Sequence, residues 1–326
     1  MINPFQAILK QDITKLNEYL LHGNVNCHDN QGRTLLHLAI KLGNTEAVQL
    51  LLKAYIDIDW KDNDGNTAFH YAVLQNRISY LRVLFTTSGN PMTKNKFGQT
   101  PLYLACRYAK EQCIDLYLEK YKLDMGEKDL QEETIFMAFV RSKSIPLLKK
   151  YGSFDSWIDE VNYLGNTPLI VAAKTNSYDM VSFLLEQHAF VNQFNHDGET
   201  ALFYAVRNAN KKMIDLFLQH GAFLDFKNRY LETIFSCATS EIKEYIEDRV
   251  QQYHLDTYKK KYPLHYAIYI KDDKRIAKYM TLKHVYIEDD FGYTPEVLAK
   301  IYHNKFALEK LKEFNRIAKI AAFETK

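Results

Sequence analysis

Asp62-Asn63-Asp64-Gly65-Asn66-Thr67-Ala68-Phe69-His70-Tyr71-Ala72 is echoed further along the chain by Asn95-Lys96-Phe97-Gly98-Gln99-Thr100-Pro101-Leu102-Tyr103-Leu104-Ala105. Four more segments repeat the opening: Asp29 to Thr34, Asn162 to Thr167, Asn195 to Thr200 and Asp289 to Thr294. Asp or Asn three residues before a glycine is turn chemistry, because the side chain bonds the local backbone and Gly accepts positive φ. The threonine after it suits a helix N-cap. A short apolar run follows, such as Leu35-Leu36-His37-Leu38-Ala39-Ile40, then a break at Gly43-Asn44. A second apolar stripe, Ala47, Val48, Leu50, Leu51 and Leu52, has helical spacing. One such helix pair cannot bury both its faces, so neighbouring pairs must stack.

The period holds along the chain. The step from Thr34 to Thr67 recurs from Thr67 to Thr100 and, to within one position, on to Thr134, Thr167, Thr200 and Thr233. Tyr262, opening Tyr262-Pro263-Leu264-His265-Tyr266-Ala267, comes a few positions early, and Thr294 follows it at nearly the full step. Repeats four and seven lack the turn glycine, with Glu132 and Leu231 in its place, and share Glu-Thr-Ile-Phe at 133–136 and 232–235. Matching residues precede both, Cys113 to Leu118 and Met213 to Leu218, which suggests duplication of a three-repeat block.

The pattern resembles the ankyrin repeat, D-x-x-G-x-T-P-L-H-x-A within a unit of about 33 residues. Thr-Pro-Leu stands at 100–102 and 167–169, and the motif's histidine at His37, His70 and His265. The resemblance covers residues 24–302 and implies an all-α ankyrin-repeat solenoid of about nine helix-turn-helix units with short hairpin turns. It also implies that the glycines shape hairpin tips and that the histidines bond a neighbouring turn. Residues 1–23 read as N-terminal capping helices, 24–302 as the array, irregular at about 130–162 and 229–262, and 303–326 as a C-terminal capping helix. The last segment places Phe306, Leu308, Leu311, Phe314, Ile317 and Ile320 among lysines and arginines, so a membrane-surface or export role competes with capping.

Composition bounds the function. Hydrophobic residues make up 47% and aromatics 13%, which excludes a disordered chain. A net charge of +2 gives no global field for nucleic acid or an acidic membrane. Four cysteines, Cys27, Cys106, Cys113 and Cys237, form no C-x-x-C pair and point to a reducing compartment. The first residues lack the features of a secretory signal and no run of eighteen apolar residues occurs, so the expectation is a protein that is cytoplasmic as made.

Catalytic motifs are scarce. There is no phosphate-binding loop ending in Lys-Ser or Lys-Thr and no H-E-x-x-H; Asp290-Phe291-Gly292 is a repeat turn and not part of a kinase. Cys237, with His254, Asp256 and His265 within thirty residues, is the one arrangement that could hold a nucleophile, set against the ordinary burial of cysteine. No cofactor and no metal site is expected.

Aligned by column, the seventh residue after the repeat threonine is Lys41, Leu74, Arg107, Arg141, Lys174 and Arg207. The resemblance places this column at the ends of first helices along a concave groove. Stacked helices lie about 8–10 Å apart, so these cations would form a ladder for an acidic peptide, a phosphorylated segment or a polyanion. The competing reading is a solvated face. In the later repeats Tyr230, Tyr258, Tyr269, Phe291, Tyr293 and Tyr302 occupy columns expected to be exposed, either as an interface or packed internally. Stacking on unpaired bases is a minor option.

These readings converge on a non-catalytic module, monomeric, that binds a protein partner through its groove and hairpin tips. Scarce Gly with abundant Lys, Asn, Ile, Tyr and Phe gives the array a style similar to ankyrin-repeat effectors of intracellular bacteria, some of which are delivered into host cells. A cytoplasmic scaffold, an immunity-type inhibitor and a Cys/His enzyme are the alternatives.

Overall fold

The computed structural model describes residues 3–152, 156–253 and 259–324. These form 21 α-helices and no β-strand; two isolated bridges, His28 with Thr34 and Lys128 with Thr134, are the only extended pairings among the described residues. The chain divides into two compact units, residues 1–190 and 191–326.

The N-terminal unit holds repeats one to five. Each begins with one device. The Oδ1 atom of Asp29, Asp62, Asn95, Asp129 or Asn162 accepts the backbone N–H groups two and four residues on, at 2.7–3.0 Å. The third residue then lies in the left-handed region. Consecutive turns join through backbone bonds, Asn63 N–H to the Gln31 carbonyl, Lys96 to Asp64, Leu130 to Phe97 and Tyr163 to Gln131. That contact fixes glycine at Gly65 and Gly98, where a Cβ would stand 2.7 Å from the nitrogens of Lys96 and Leu130.

The buried repeat threonine turns the chain into a helix; Thr100, Thr134 and Thr167 accept the N–H groups of Tyr103, Met137 and Ile170 on their hydroxyls. First helices bury up to six consecutive residues between neighbours, as in Pro101–Arg107. At about 1.5–3 kcal/mol for each large apolar side chain, this burial dominates the unit's stability. Nine residues after the threonine a left-handed residue ends the first helix: Gly43, Asn76, Ala109, Lys143 or Asn176. Helices Pro4–Leu9 and Ile13–His22, N-capped by Asn3 and Asp12, precede the first repeat.

Repeat four, expected to be irregular at about 130–162, is described except for residues 153–155. Its described residues form an ordinary helix pair, Ile135–Ser142 and Ile145–Tyr151, and Glu132 takes the left-handed conformation that glycine takes elsewhere, at φ 56°.

The C-terminal unit holds repeats six to nine, and its distortion lies in repeat seven. The first helix there is only Ile234–Cys237, followed by the long helix Ser240–Tyr253. The first helices of repeats one to six carry an apolar pair five and six residues after the threonine, such as Ala205-Val206; here that pair is Ala238-Thr239. Thr239 accepts the Ile242 N–H on its hydroxyl, so a new cap starts the next helix early and the left-handed break is lost. Repeats eight and nine contribute Pro263–Tyr269, Asp273–Tyr279 and Pro295–Ile301. The closing helix Lys305–Glu324 buries Ala307 and Leu311 and leaves Ile317 exposed.

Candidate protein-interaction surface

In the N-terminal unit two cations of the column are organised by a carboxylate. Glu133, 1% exposed, accepts the Arg141 Nε–H at 2.7 Å on Oε2 and an Nη2–H on Oε1. Arg107 donates from Nη1 to the same Oε2 at 3.4 Å, and Asn162 Nδ2 donates to Oε1 at 3.2 Å. Burial pushes the Glu133 carboxyl up, but the bonds from Arg141 and the nearby Arg107 charge outweigh it and hold the group below its ordinary value. Glu133 is therefore a buried anion that sets the positions of two guanidiniums.

Those guanidiniums keep donors in reserve. Arg107 Nε and Nη2 and Arg141 Nη1 make no bond among the described residues, and the two side chains are 29% and 30% exposed. With Tyr108, Ser142 and Thr175 they line an open cleft of about 430 Å³. Lys143 sets its ammonium on the Thr175 carbonyl at 2.9 Å. Lys41 and Lys174 are exposed at the corresponding helix ends of repeats one and five.

Arg207, in the C-terminal unit, is differently placed. It donates to both oxygens of buried Glu199, at 2.9 and 2.5 Å, and lies 3.6 Å from Glu232. Two carboxylates thus offset one cation, and its guanidinium rests on the rings of Phe203 and Tyr204.

The aromatic column of this unit is largely turned inward. Phe291 and Tyr293, expected to be exposed, are 3% and 8% exposed. The reason is that the turn of repeat nine lies against 221–223: a Cβ on Gly292 would meet the Phe223 ring at 3.3 Å. Tyr269 and Tyr302 pack edge to face with ring centres 4.9 Å apart, and with Tyr293 they border an apolar cavity of about 590 Å³ beside the shortened helix of repeat seven. Tyr230 is the aromatic of the column that stays outside, 60% exposed, with the Arg229 guanidinium 4.8 Å from its ring centre. Tyr258 lies outside the described residues.

The nucleophile arrangement is not assembled among the described residues. Cys237 Sγ lies 3.7 Å from Arg207 Nη2 and 3.8 Å from Glu232, and buried His265 gives its Nε2 to the Tyr293 carbonyl at 2.9 Å. His254 and Asp256 lie outside the described residues. The motif histidines behave unevenly: His70 Nε2 bonds the Gln99 carbonyl at 3.1 Å, whereas His37 Nε2 is buried without a partner.

Sequence reasoning found the arginines and, in Glu199, an acid able to offset the column, but missed Glu133. The signal was present: Glu stands just before the repeat threonine and Arg seven after it in repeats four and six. That spacing of eight residues crosses a turn and belongs to no helical period. No helix among the described residues is long and apolar enough to cross a membrane.

Comparison with known proteins agrees with this geometry. The family model for ankyrin repeats matches residues 5–95, 109–195 and 135–228, more than half of the chain. The mouse (Mus musculus) B-cell lymphoma 3 protein homolog is 28% identical over 167 residues, 48% of this chain and 37% of that protein. A putative ankyrin repeat protein of Rickettsia bellii is 39% identical over 90 residues, 27% of this chain and half of that one. The crystal structure of the ankyrin repeat domain of Bcl-3, described as a unique member of the IkappaB protein family, aligns with a TM-score of 0.51 at 29% identity. It covers 67% of this chain and all of that domain. The chain spans little more than a third of the length of the mouse relative. Repeat period, turn geometry and family match lead to one assignment: the chain belongs to the ankyrin-repeat family.

Proposed function

We propose that this chain is a non-catalytic protein-interaction module that holds an acidic segment of a partner along the first-helix ends of its N-terminal unit. The carrying observation is the pair Arg107 and Arg141, fixed by a buried carboxylate beside an open cleft with N–H donors unspent. Lys41 and Lys174 extend the same column and supply attraction that salt screens. Exposed Tyr230 offers a separate aromatic contact on a turn tip. Arg207, Tyr269, Phe291 and Tyr293 contribute to this reading through the framework of the C-terminal unit, since their charge or surface is already engaged by neighbours.

The likeness to a Rickettsia bellii ankyrin protein, with the composition of the chain, supports a role as a bacterial effector acting on a host protein. To test the reading, the chain and its Arg107→Glu/Arg141→Glu variant are used side by side to capture proteins from host and bacterial lysates at low and high salt. A partner held by the parent at low salt and lost from the variant supports the groove. A partner held equally by both contradicts it, and a partner found only in the bacterial lysate contradicts the effector role.

A further inference from the structure

We infer that the cleft between Arg107 and Arg141 is a phosphate-binding site that accepts a phosphoserine or phosphothreonine side chain of the bound segment; this rests on the acidic-partner reading above. Arg107 and Arg141 line the cleft, the Lys143 ammonium sits on the carbonyl of the lining residue Thr175, and Glu133 cancels one of the three charges. A phosphate monoester carries about −1.5 to −2 at neutral pH and matches the remaining charge, whereas a carboxylate leaves part of it unmatched.

The donors point the same way. Glu133 occupies Arg141 Nε and Nη2 and Arg107 Nη1, so Arg107 offers Nε and Nη2 and Arg141 offers Nη1 from two separate forks. Three acceptor oxygens on one phosphorus can meet donors from two forks at once, while a carboxylate has two coplanar oxygens suited to a single fork. Glu133 also fixes both side chains in advance, which lowers the ordering cost of binding. The cleft is open and bordered by Tyr108, 52% exposed, a rim suited to a group carried on a peptide.

The test uses the full chain and end-blocked five-residue peptides, Gly-Gly-phosphoserine-Gly-Gly and its serine and glutamate counterparts, with inorganic phosphate as a fourth probe. Binding is followed by calorimetry and by the arginine Nε–H resonances. The phosphopeptide is expected to bind about ten-fold more tightly than the glutamate peptide, with movement of the Arg107 signal. Arg107→Gln should weaken it about ten-fold, while Lys53→Gln, at the end of a second helix, should leave it unchanged. Arg107 is the residue to alter because it gives Glu133 one bond only; Arg141→Gln/Glu133→Gln, which removes the buried ion pair as a whole, should show the same loss. Equal binding of the glutamate peptide overturns the phosphate assignment and leaves the acidic-partner reading standing. Inorganic phosphate binding as tightly as the phosphopeptide overturns the peptide source. No binding of any probe overturns the site and the acidic-partner reading together.

Discussion

Repeats four and seven open with the same residues, Glu-Thr-Ile-Phe, and both lack the turn glycine, yet only one forms the standard helix pair. Glu132 and Leu231 both adopt the left-handed turn conformation, at φ 56° and 63°, so the missing glycine is not what separates them. The difference lies further on. Repeat four continues with Phe139-Val140, buried, and Arg141, which returns to Glu133. Repeat seven continues with Ala238-Thr239-Ser240, too polar to extend the first helix and equipped to cap the next. Its Glu232 finds no arginine in its own repeat and has a side chain 46% exposed. The comparison teaches that a repeat survives the loss of its turn glycine, whereas a capping threonine in place of the last apolar residue cuts its first helix short.

The largest expected effect sharpens this contrast through pH. The column that holds His37 and His70 in repeats one and two holds Met137 in repeat four and Ser236 in repeat seven. Burial lowers the imidazoles of His37 and His70 from 6.5 to about 4. The folded-state pKa lies below the unfolded one, so the stabilisation is whole above pH 6.5 and is lost as pH falls to about 4. Each histidine should account for about 3 kcal/mol. Hydrogen exchange between pH 7 and 4 should show repeats one and two losing protection ahead of repeat four; simultaneous loss would contradict the histidine account.

Removing the two glutamates tests the contrast directly. Glu133→Ala should destabilise the N-terminal unit by about 2–3 kcal/mol, because two guanidiniums and the Asn162 amide lose a buried acceptor. Glu232→Ala should change stability by less than about 0.5 kcal/mol, as expected for an exposed pair. Urea midpoints, read with repeat-resolved exchange, separate the two; equal effects would break the comparison.

The turn position gives the smaller changes. Gly98→Ala should cost about 1–2 kcal/mol, since its Cβ meets the Leu130 nitrogen as well as the left-handed strain. Leu231→Gly should gain at most about 1 kcal/mol by relieving that strain. Thermal unfolding reads both, and destabilisation by Leu231→Gly would show that glycine matters in repeat seven after all.

Much of the fold was legible because its controlling groups are local. The Asp or Asn, the glycine and the threonine act on backbone within four residues, and each keeps its place in the sequence pattern. The site was legible in part. Arg107 and Arg141 stood in a column, but Glu133 serves a residue eight positions on and another 26 positions back, distances that no single helix relates. The exposure expected of Phe291 and Tyr293 failed because the turn of repeat nine packs against residues 221–223, far back in the chain. Such a contact is a tertiary fact, and a column alignment does not contain it.

The claim that most needs testing is that the cations of the N-terminal unit act on a partner rather than only on Glu133. Calorimetric titration of the full chain with an eight-residue polyglutamate peptide, at low and high salt, addresses it. The account expects binding at low salt that weakens at high salt and falls about ten-fold or more in Arg107→Glu, with far-ultraviolet circular dichroism unchanged. Equal affinity in Arg107→Glu and parent, or no dependence on salt, would contradict it.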